Sequence, residues 1–241
     1  MNPVAVLFAL PIEARAFLAK VSEDDRLDLS FHACKALVGG RQVFIGITGM
    51  GCRNSEIQTA ELLSKAQPSA LLFAGFGGAL DPKLKPGDLV AADSVIFASD
   101  TGMREYPAHQ TLLDSAANST CSTLHGRILT TDHIIHTPEE KADLWENQKC
   151  SVVDMESGPA ADVAARFGVP FLAVRSIIDT AFDVLPDVLA QQRGKGEPAS
   201  PARILLAAVR RPALFSTLYH LFVRSRLAAS NLSTFLEDVL S

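Results

Sequence analysis

The sequence is short of the residues that mark several broad classes of protein. Its 241 residues include four cysteines, one tryptophan and two tyrosines, and the cysteines form no CxxC or Cys/His spacing. Neither a disulfide framework nor a metal site is therefore expected. No stretch approaches the roughly 18 consecutive apolar residues of a transmembrane helix. A basic excess is also missing, since the net charge is −5, and this excludes a general nucleic-acid binder.

What is present is the composition of a globular protein, with 48% hydrophobic and 20% charged residues. The apolar run at residues 4–10 lacks the basic segment that opens a secretory signal peptide, and Pro11, Glu13 and Arg15 follow it at once. We therefore interpret this run as a buried strand. The cysteines are expected to be reduced and the protein cytoplasmic.

Short apolar runs alternate with small-residue helical segments, a pattern typical of a mainly parallel sheet covered by helices. Gly39 and Gly40 predict a hairpin, so the sheet should be mixed. The predicted fold class is α/β, with one domain over residues 1–241, a twisted central sheet flanked by helices, and an extra helical segment at 201–241. The predicted strands are residues 4–10, 31–38, 42–47, 70–74, 89–97, 128–130, 151–153 and 171–178, and the predicted helices include 55–66, 139–147 and 157–167.

Two glycine-rich segments, ITGMG ending at Gly51 and FAGFGGALDPKLKPGD at residues 73–88, each follow an apolar strand. Glycine lets backbone amides approach a ligand at the carboxyl edge of an α/β sheet. Neither segment completes GxGxxG, because Asn54 and Leu80 stand at the final positions. A dinucleotide site is disfavoured, although a purely structural turn stays open for either segment alone. The glycines expected to form a pocket wall are Gly75, Gly77 and Gly78.

Carboxylates stand beside apolar runs at three strand ends. Glu13 follows the first strand, Glu156 lies where a strand meets a helix, and Asp179 ends the next strand. If those two strands run parallel, Glu156 and Asp179 can point into one crevice. Buried carboxylates are costly unless they are paired or used. Two interpretations stay open: a catalytic crevice, or structural ion pairs and caps among Asp154, Asp179 and Arg175, with Glu13 in solvent.

Five segments of the chain carry a resemblance to a known family. FALPIEA, TGMG, GFGGALDPKLKPGDLV, VVDMESGPAADVA and VRSIIDTA occur in this order between residues 4 and 181. In this order they resemble the nucleoside phosphorylase-I superfamily, and they are most similar to 5'-methylthioadenosine/S-adenosylhomocysteine nucleosidases. The tail, LPDVLAQQRGKG followed by ILLAAVRRPALFSTLYHLFVRSRLAASNL, resembles the hopanoid-associated phosphorylase-like proteins, which are thought to remove adenine from adenosylhopane.

The resemblance implies cleavage of the bond between a ribose carbon and a purine nitrogen while positive charge builds on the sugar. It implies that Asp179 protonates the purine as general acid and that Glu13 orients or activates the attacking water. Glu156 would hold the ribose hydroxyls, with Met155 packed under the sugar. The other residues expected to bind substrate are Gly75, Phe76, Gly77, Val153 and Asp154.

The attacking group, water or phosphate, is left open by the sequence. Related phosphorylases hold phosphate with an arginine and a serine, whereas the matching segment here has Phe73 and Phe76, which cannot bind a dianion. Hydrolysis is therefore favoured. If inorganic phosphate is a co-substrate, Arg53 and Arg104 are the candidate phosphate-binding residues. No cofactor is expected.

From Pro201 onward, apolar residues recur at helical spacing with arginines between them. A terminal helix packed on the core, with solvated arginines, is one interpretation. The other is a basic amphipathic helix that makes peripheral contact with an anionic membrane. The second would suit a nucleoside linked to a lipid.

The predicted function is a purine nucleosidase or phosphorylase acting on adenosine with a bulky 5' substituent, adenosylhopane in particular. The resemblance also implies a homo-oligomer. The alternatives are a 5'-methylthioadenosine/S-adenosylhomocysteine nucleosidase, a general purine nucleoside phosphorylase, and a nucleoside-binding protein without catalytic activity. A Rossmann oxidoreductase is the remaining class, and NAD(P) binding would reveal it.

Overall fold

The computed structural model describes residues 3–99, 102–186 and 213–241. The predicted surface loop at 191–200 and the start of the predicted C-terminal helical segment lie outside these residues. In chain order the described elements are β1 Val4–Phe8, α1 Pro11–Leu18, β2 Ser22–Arg26, β3 His32–Val38, β4 Arg41–Ile47, α2 Cys52–Ala66, β5 Ala70–Ala79, β6 Leu89–Ser99, β7 Gly102–Pro107, α3 Gln110–Ala117, β8 Thr123–Thr130, α4 Pro138–Gln148, β9 Val152–Asp154, α5 Ser157–Phe167, β10 Phe171–Asp179 and α6 Ala213–Leu240.

All ten strands belong to one mixed sheet, which confirms the predicted α/β class. Strands β4, β1, β5 and β10 are neighbours and parallel. Strand β10 pairs β6 antiparallel, β6 and β9 both pair β8 parallel, and β9 returns to β5 antiparallel. The sheet therefore closes on itself through β5, β10, β6, β8 and β9, while β1, β4, β3 and β2 extend it from β5. Sequence analysis did not predict this closure.

Strand β5 makes the closure possible because both of its edges are paired, one with β10 and the other first with β1 and then with β9. It was expected to end at residue 74 and give way to a glycine loop, but it continues to Ala79 and pairs with β10 as far as Gly78. A Cβ atom at Gly77 would stand 2.5 Å from Cγ1 of Val152. Glycine is thus required for the close approach of β9 to β5, and not for a loop.

The predicted glycine hairpin is confirmed. Gly39 and Gly40 have φ of +54° and +81° and join β3 to β4 as an antiparallel hairpin. Helix α5 ends at Gly168, whose φ is +66°. Strands β2 and β7 were not predicted, because neither alternates apolar with polar residues, and each pairs with a single neighbour.

Helices cover both faces of the sheet, as the α/β prediction requires. Along β5, Leu71 and Phe73 face the layer that holds α2 and α5, whereas Leu72 and Ala74 face the layer that holds α1 and the end of α6. The C-terminal half of α6 is a core element, since Phe235 is fully buried. The described part of the chain has no helix that is both long enough and apolar enough to cross a membrane.

Candidate active site

A cavity of about 550 Å³ lies where the carboxyl ends of β1, β5 and β10 meet. Its volume lies in the range of small-molecule sites, about 300–1,000 Å³. It collects most of the residues predicted from the sequence. The predicted residues that line it are Glu13, Phe76, Gly77, Val153, Asp154, Met155, Glu156 and Asp179.

The route by which these residues meet differs from the prediction. Strands β9 and β10 were expected to run parallel and to end side by side. Instead β10 is parallel to β5 and β9 is antiparallel to it. Closure of the sheet, rather than a shared strand direction, brings Glu156 and Asp179 to the same cavity.

Glu13 lies in the first turn of α1, which begins at Pro11 directly after β1. Its Oε2 accepts hydrogen bonds from the backbone N–H groups of Ala9 at 2.9 Å and Leu10 at 2.7 Å, and its Oε1 accepts one from Phe76 at 2.7 Å. The residue is 4% exposed, so of the two open interpretations the one that places Glu13 in solvent is wrong. Burial raises the pKa of the Glu13 carboxyl, and the charge of Arg175 and these hydrogen bonds oppose the rise.

Glu156 stands at the start of α5 and reaches the glycine turn before α2. Its Oε1 accepts a hydrogen bond from the backbone N–H of Gly51 at 2.7 Å. Gly51 has φ of +92°, a conformation that a residue with a side chain rarely adopts. Burial raises the pKa of Glu156 to about 8; the charge of Asp154 adds to the rise and that of Arg175 opposes it. A carboxyl group that keeps its proton near neutral pH can both donate to and accept from sugar hydroxyls.

Asp154 forms a buried ion pair with Arg175. Its Oδ2 lies 2.7 Å from Nε and 2.6 Å from Nη2 of the arginine and accepts from the N–H of Ser157 at 3.0 Å, while Oδ1 accepts from Thr130 Oγ1 at 2.6 Å. The guanidinium stacks on the Phe73 ring with 5.0 Å between Cζ and the ring centre. The structural ion-pair interpretation is confirmed for this pair. The Asp154 carboxylate lines the cavity, and both of its oxygens already accept hydrogen bonds from protein donors.

One nitrogen of Arg175, Nη1, is buried and has no hydrogen-bond partner among the described residues. A Cβ atom at Gly75 would lie 2.3 Å from this Nη1 and 2.9 Å from Glu13 Oε1. Glycine at position 75 therefore lets the Arg175 guanidinium and the Glu13 carboxylate pack directly over the backbone of β5, where a side chain would clash with both.

Asp179 ends β10 in an ion pair that sequence analysis missed. Lys141 of α4, which is fully buried, donates to Asp179 Oδ2 at 2.5 Å and to the Thr180 carbonyl at 2.7 Å. Burial raises the pKa of the Asp179 carboxyl, and the charge of Lys141 opposes the rise. The sequence did carry a signal: Lys141 precedes Leu144 and Trp145 by three and four residues, which places it on the apolar face of α4.

The remaining predicted residues lie apart from this cavity. Gly75 lies behind its wall, under Glu13 and Arg175. Arg53 is exposed on α2, and Arg104 lies on β7 in a separate surface cleft, 3.7 Å from Asp162. Within the residues that the structure describes, no group of histidines, cysteines and carboxylates could hold a metal ion.

The cavity lining has two contrasting groups of side chains. We call Glu13, Glu156 and Asp179 the floor. The second group, which we call the mouth, is apolar and consists of Ile134, Ile135, Leu185, Leu218, Leu221 and Phe222. Three of the mouth residues come from the N-terminal half of α6, so the terminal helix contributes to the site as well as to the core.

Comparison with known proteins places this architecture in a family. The model of the phosphorylase superfamily matches residues 3–209. The chain belongs to the phosphorylase superfamily. The 5'-methylthioadenosine/S-adenosylhomocysteine nucleosidases of Maridesulfovibrio salexigens and Marinomonas sp. are 26% and 27% identical to it, over 72% and 75% of this chain and 83% and 87% of their own lengths.

Solved structures agree with the fold of this phosphorylase-superfamily chain. The futalosine hydrolase of Helicobacter pylori superposes with a TM-score of 0.79 at 19% identity, covering 99% of this chain and 97% of its own. A nucleosidase of Colwellia psychrerythraea in complex with adenine gives 0.79 at 18% identity, covering 99% and 94%. The family and the enzyme class expected from the sequence, nucleosidase or nucleoside phosphorylase, are confirmed.

Proposed function

We propose that the protein is a nucleosidase that hydrolyses a 5'-substituted adenosine and releases adenine, with adenosylhopane as the specific substrate. The observation that carries the proposal is the cavity itself, which is lined by the four buried carboxyl groups of Glu13, Asp154, Glu156 and Asp179 and by a group of apolar side chains. Cleavage of a glycosidic bond needs an acid at the leaving group and negative charge or a base near the sugar. The floor supplies both kinds of group.

In the proposed mechanism Asp179 protonates the departing purine. Burial keeps the pKa of this carboxyl above its ordinary value, which favours the protonated form that a general acid needs. The proton leaves the carboxyl oxygen for a purine ring nitrogen, and the electrons of the glycosidic bond remain on the base. Positive charge then develops on the ribose between Asp179 and the two glutamates.

Glu13 would place the attacking water and accept its proton as the new carbon–oxygen bond forms. Its carboxylate is fixed beforehand by three backbone N–H groups. Glu156 would hold the ribose hydroxyls with Met155 beneath the sugar. Such prior orientation lowers the entropic part of the barrier.

Water is the preferred acceptor in this proposal. Phe76 lines the cavity where a phosphorylase needs phosphate donors, and Phe73 is buried under the Arg175 guanidinium. The two candidate phosphate-binding residues, Arg53 and Arg104, do not line the cavity. A phosphate ion in the site would meet four carboxyl groups, and the nearby Arg175 is fully buried, paired with Asp154 and absent from the cavity lining.

The mouth supports an apolar group on the ribose 5' carbon. Leu218, Leu221 and Phe222 of α6 line the cavity, and Phe222 is half-exposed. A substituent bound there has its apolar surface removed from water, which stabilises the complex by about 25 cal/mol per Å² of apolar area buried. The names of the relatives favour a second candidate, a 5'-methylthioadenosine/S-adenosylhomocysteine nucleosidase, whose substrates carry smaller or polar 5' groups.

The test is a panel of substrates with the purified protein. Adenosine, methylthioadenosine and a lipid-linked adenosine are each incubated with and without inorganic phosphate, and free adenine is measured. We expect adenine from all three without phosphate and the largest kcat/KM for the lipid-linked nucleoside. Strict phosphate dependence would make the protein a phosphorylase, and a preference for methylthioadenosine would select the second candidate. No free base from any nucleoside would favour the non-catalytic binding protein.

A lipid-linked substrate also suggests where the protein works. Large apolar side chains are exposed on α6 at Tyr219, Phe222, Val223 and Leu227, with Arg226 beside them. We propose that this face rests on an anionic membrane and admits the substrate from it. Co-sedimentation with phosphatidylglycerol vesicles, but not with phosphatidylcholine vesicles, is the expected result. Equal absence from both pellets would contradict membrane contact.

The predictions of a cytoplasmic, homo-oligomeric protein that forms one domain over residues 1–241 stay predictions. Light scattering on the purified protein measures the mass of the assembly.

A further inference from the structure

Asp179, the general acid of the proposed mechanism, is in contact with a buried cation. Lys141 is fully buried and its Nζ lies 2.5 Å from Asp179 Oδ2, 2.7 Å from the Thr180 carbonyl oxygen and 3.4 Å from that of Asp183. An ammonium group has three N–H donors, so these three acceptors match its full complement. The lysine is therefore built into the end of β10 as a charged group.

A second cation holds the same turn from the other side. Asp183 Oδ2 accepts from the N–H of Thr180 at 2.7 Å, from its Oγ1 at 2.8 Å and from Arg224 Nη1 at 2.7 Å. The charged groups that act on Asp179 thus come from three elements: Lys141 from α4, Asp183 from the turn and Arg224 from α6. Among them Lys141 makes the direct contact with the Asp179 carboxyl.

This contact distinguishes the two oxygens of the acid. Oδ2 is held by Lys141, whereas the described residues provide no hydrogen bond to Oδ1. Asp179 lines the cavity from above Gly78, which lies directly beneath its carboxyl group. An acid held by one oxygen presents the other in a fixed direction, which is what proton transfer to a bound base requires.

We propose that Lys141 is a positioning residue for the acid: it holds Asp179 by Oδ2, presents Oδ1 to the purine, and limits the pH range in which Asp179 carries its proton. The inference rests on the proposed function, in which Asp179 protonates the base. It adds a residue that the motifs of the family resemblance did not point to. The alternative is that Lys141 only stabilises the turn after β10.

The two interpretations differ in their pH dependence. Burial raises the pKa of Asp179 and the Lys141 charge lowers it, so removal of the charge must raise that pKa further. An opposite charge at contact distance shifts a carboxyl pKa by about 1 to 3 units. Asp179 in a protein without the cation would therefore stay protonated to higher pH, but its carboxyl group would lose its fixed orientation.

The test compares K141M with the wild type in adenine release from methylthioadenosine or adenosine across a range of pH. Methionine keeps the length of the side chain and removes its charge. We expect the alkaline limb of kcat/KM to move up by about 1 to 3 pH units, with a lower plateau of kcat and a nearly unchanged KM. K141R keeps a cation, so its limb should stay close to that of the wild type. K65M, at an exposed lysine paired with Glu61, is the control and should leave the profile unchanged.

A measurement without catalysis separates this inference from the proposed function. Carboxyl ¹³C NMR, with Asp179 assigned through D179N, reports its titration in wild type and K141M even if no nucleoside is cleaved. An upward shift of the Asp179 titration in K141M supports the inference. An unchanged titration, or a change in thermal stability with no change in the pH profile, would overturn it.

If K141M does not fold, the ¹⁵Nζ resonance of Lys141 provides the test in proteins that keep the lysine. This resonance should lie at the shift of an ammonium group in the wild type and should move in D179N. An Nζ chemical shift that is the same in D179N and in the wild type would contradict a direct contact between Lys141 and Asp179, and with it the positioning role.

Discussion

The floor and the mouth of the cavity differ in the chemistry of their side chains and in the elements that carry them. Glu13, Glu156 and Asp179 stand at strand and helix ends, buried, and each is held by a backbone N–H or an ammonium group. Leu218 and Leu221, by contrast, lie on one helix and present only hydrocarbon. The contrast teaches that the chemistry and the choice of substrate are separable here: the floor can be damaged with the mouth intact, and the reverse.

The largest effect is expected at the floor from D179N. The amide cannot act as a general acid, so kcat should fall by about 10²- to 10⁴-fold while KM for adenosine changes little. Adenine release under saturating substrate measures this. D143N, at an exposed carboxylate of α4, is the control for the same chemical change. Full activity in D179N would leave the proposed mechanism without its acid.

Removal of the buried guanidinium with R175M should mainly affect stability. It leaves Asp154 buried without its cation, and breaking such a pair costs about 3–5 kcal/mol. The free energy of unfolding from urea titration measures the loss. R166M removes an exposed arginine that pairs with Asp162 at 3.0 Å and should cost about 0–1 kcal/mol. Equal losses in the two variants would refute a special role for the buried pair.

At the mouth, the double variant L221S/F222S should change selectivity rather than chemistry. The ratio of kcat/KM for lipid-linked adenosine to that for adenosine should fall by about 10- to 200-fold, the usual range for lost apolar contacts. L124S, at an exposed leucine of β8 away from the cavity, is the matched control. An unchanged ratio in the double variant would mean that the 5' group does not pass along α6.

The smallest expected effect is that of Glu156 on the pH dependence of stability. Its pKa of about 8 in the folded protein lies above its ordinary value of 4.5, so the folded state binds more protons than the unfolded state between these limits. Stability must therefore fall as pH rises through this window, and it is fully retained below it. Glu13 and Asp179 contribute with the same sign. Thermal unfolding of E156Q should show a smaller drop between about pH 5 and about pH 8 than the wild type; a drop of equal size would contradict the assignment.

Much of the floor could be predicted from the sequence because it depends on short motifs at strand ends. Glu13, Glu156 and Asp179 each follow an apolar strand, and the structure brings all three to one cavity. The alternative roles of Asp154 could not be resolved in this way. The same sequence is compatible with an Asp154 that pairs with Arg175 and with one that contacts the substrate. Only the structure shows how many hydrogen-bond donors the Asp154 carboxylate already has.

The mouth and the supports of the floor were harder to predict, for physical reasons. Lys141 lies 38 residues from Asp179 in the chain, and no local pattern states which carboxylate a buried lysine will meet. The stretch 75–78 was expected to be a loop, because glycine usually weakens a strand. Here the absence of a side chain at Gly75 lets Arg175 pack against β5, and its absence at Gly77 lets β9 do so. Closure of the sheet depends on both edges of one strand, which hydrophobic periodicity does not reveal.

The arrangement of β5 has a consequence for how the protein becomes active. Its ten residues pair with β1, β10 and β9, so segments that are distant in the sequence must all pair with this one strand. Contacts between residues so distant along the chain form slowly and late in folding. A ribosome-bound chain that ends before β10 lacks Asp179 and therefore has no complete catalytic site. During refolding, we expect amide-exchange protection at Phe76 and Gly78 to appear in the same step as enzymatic turnover.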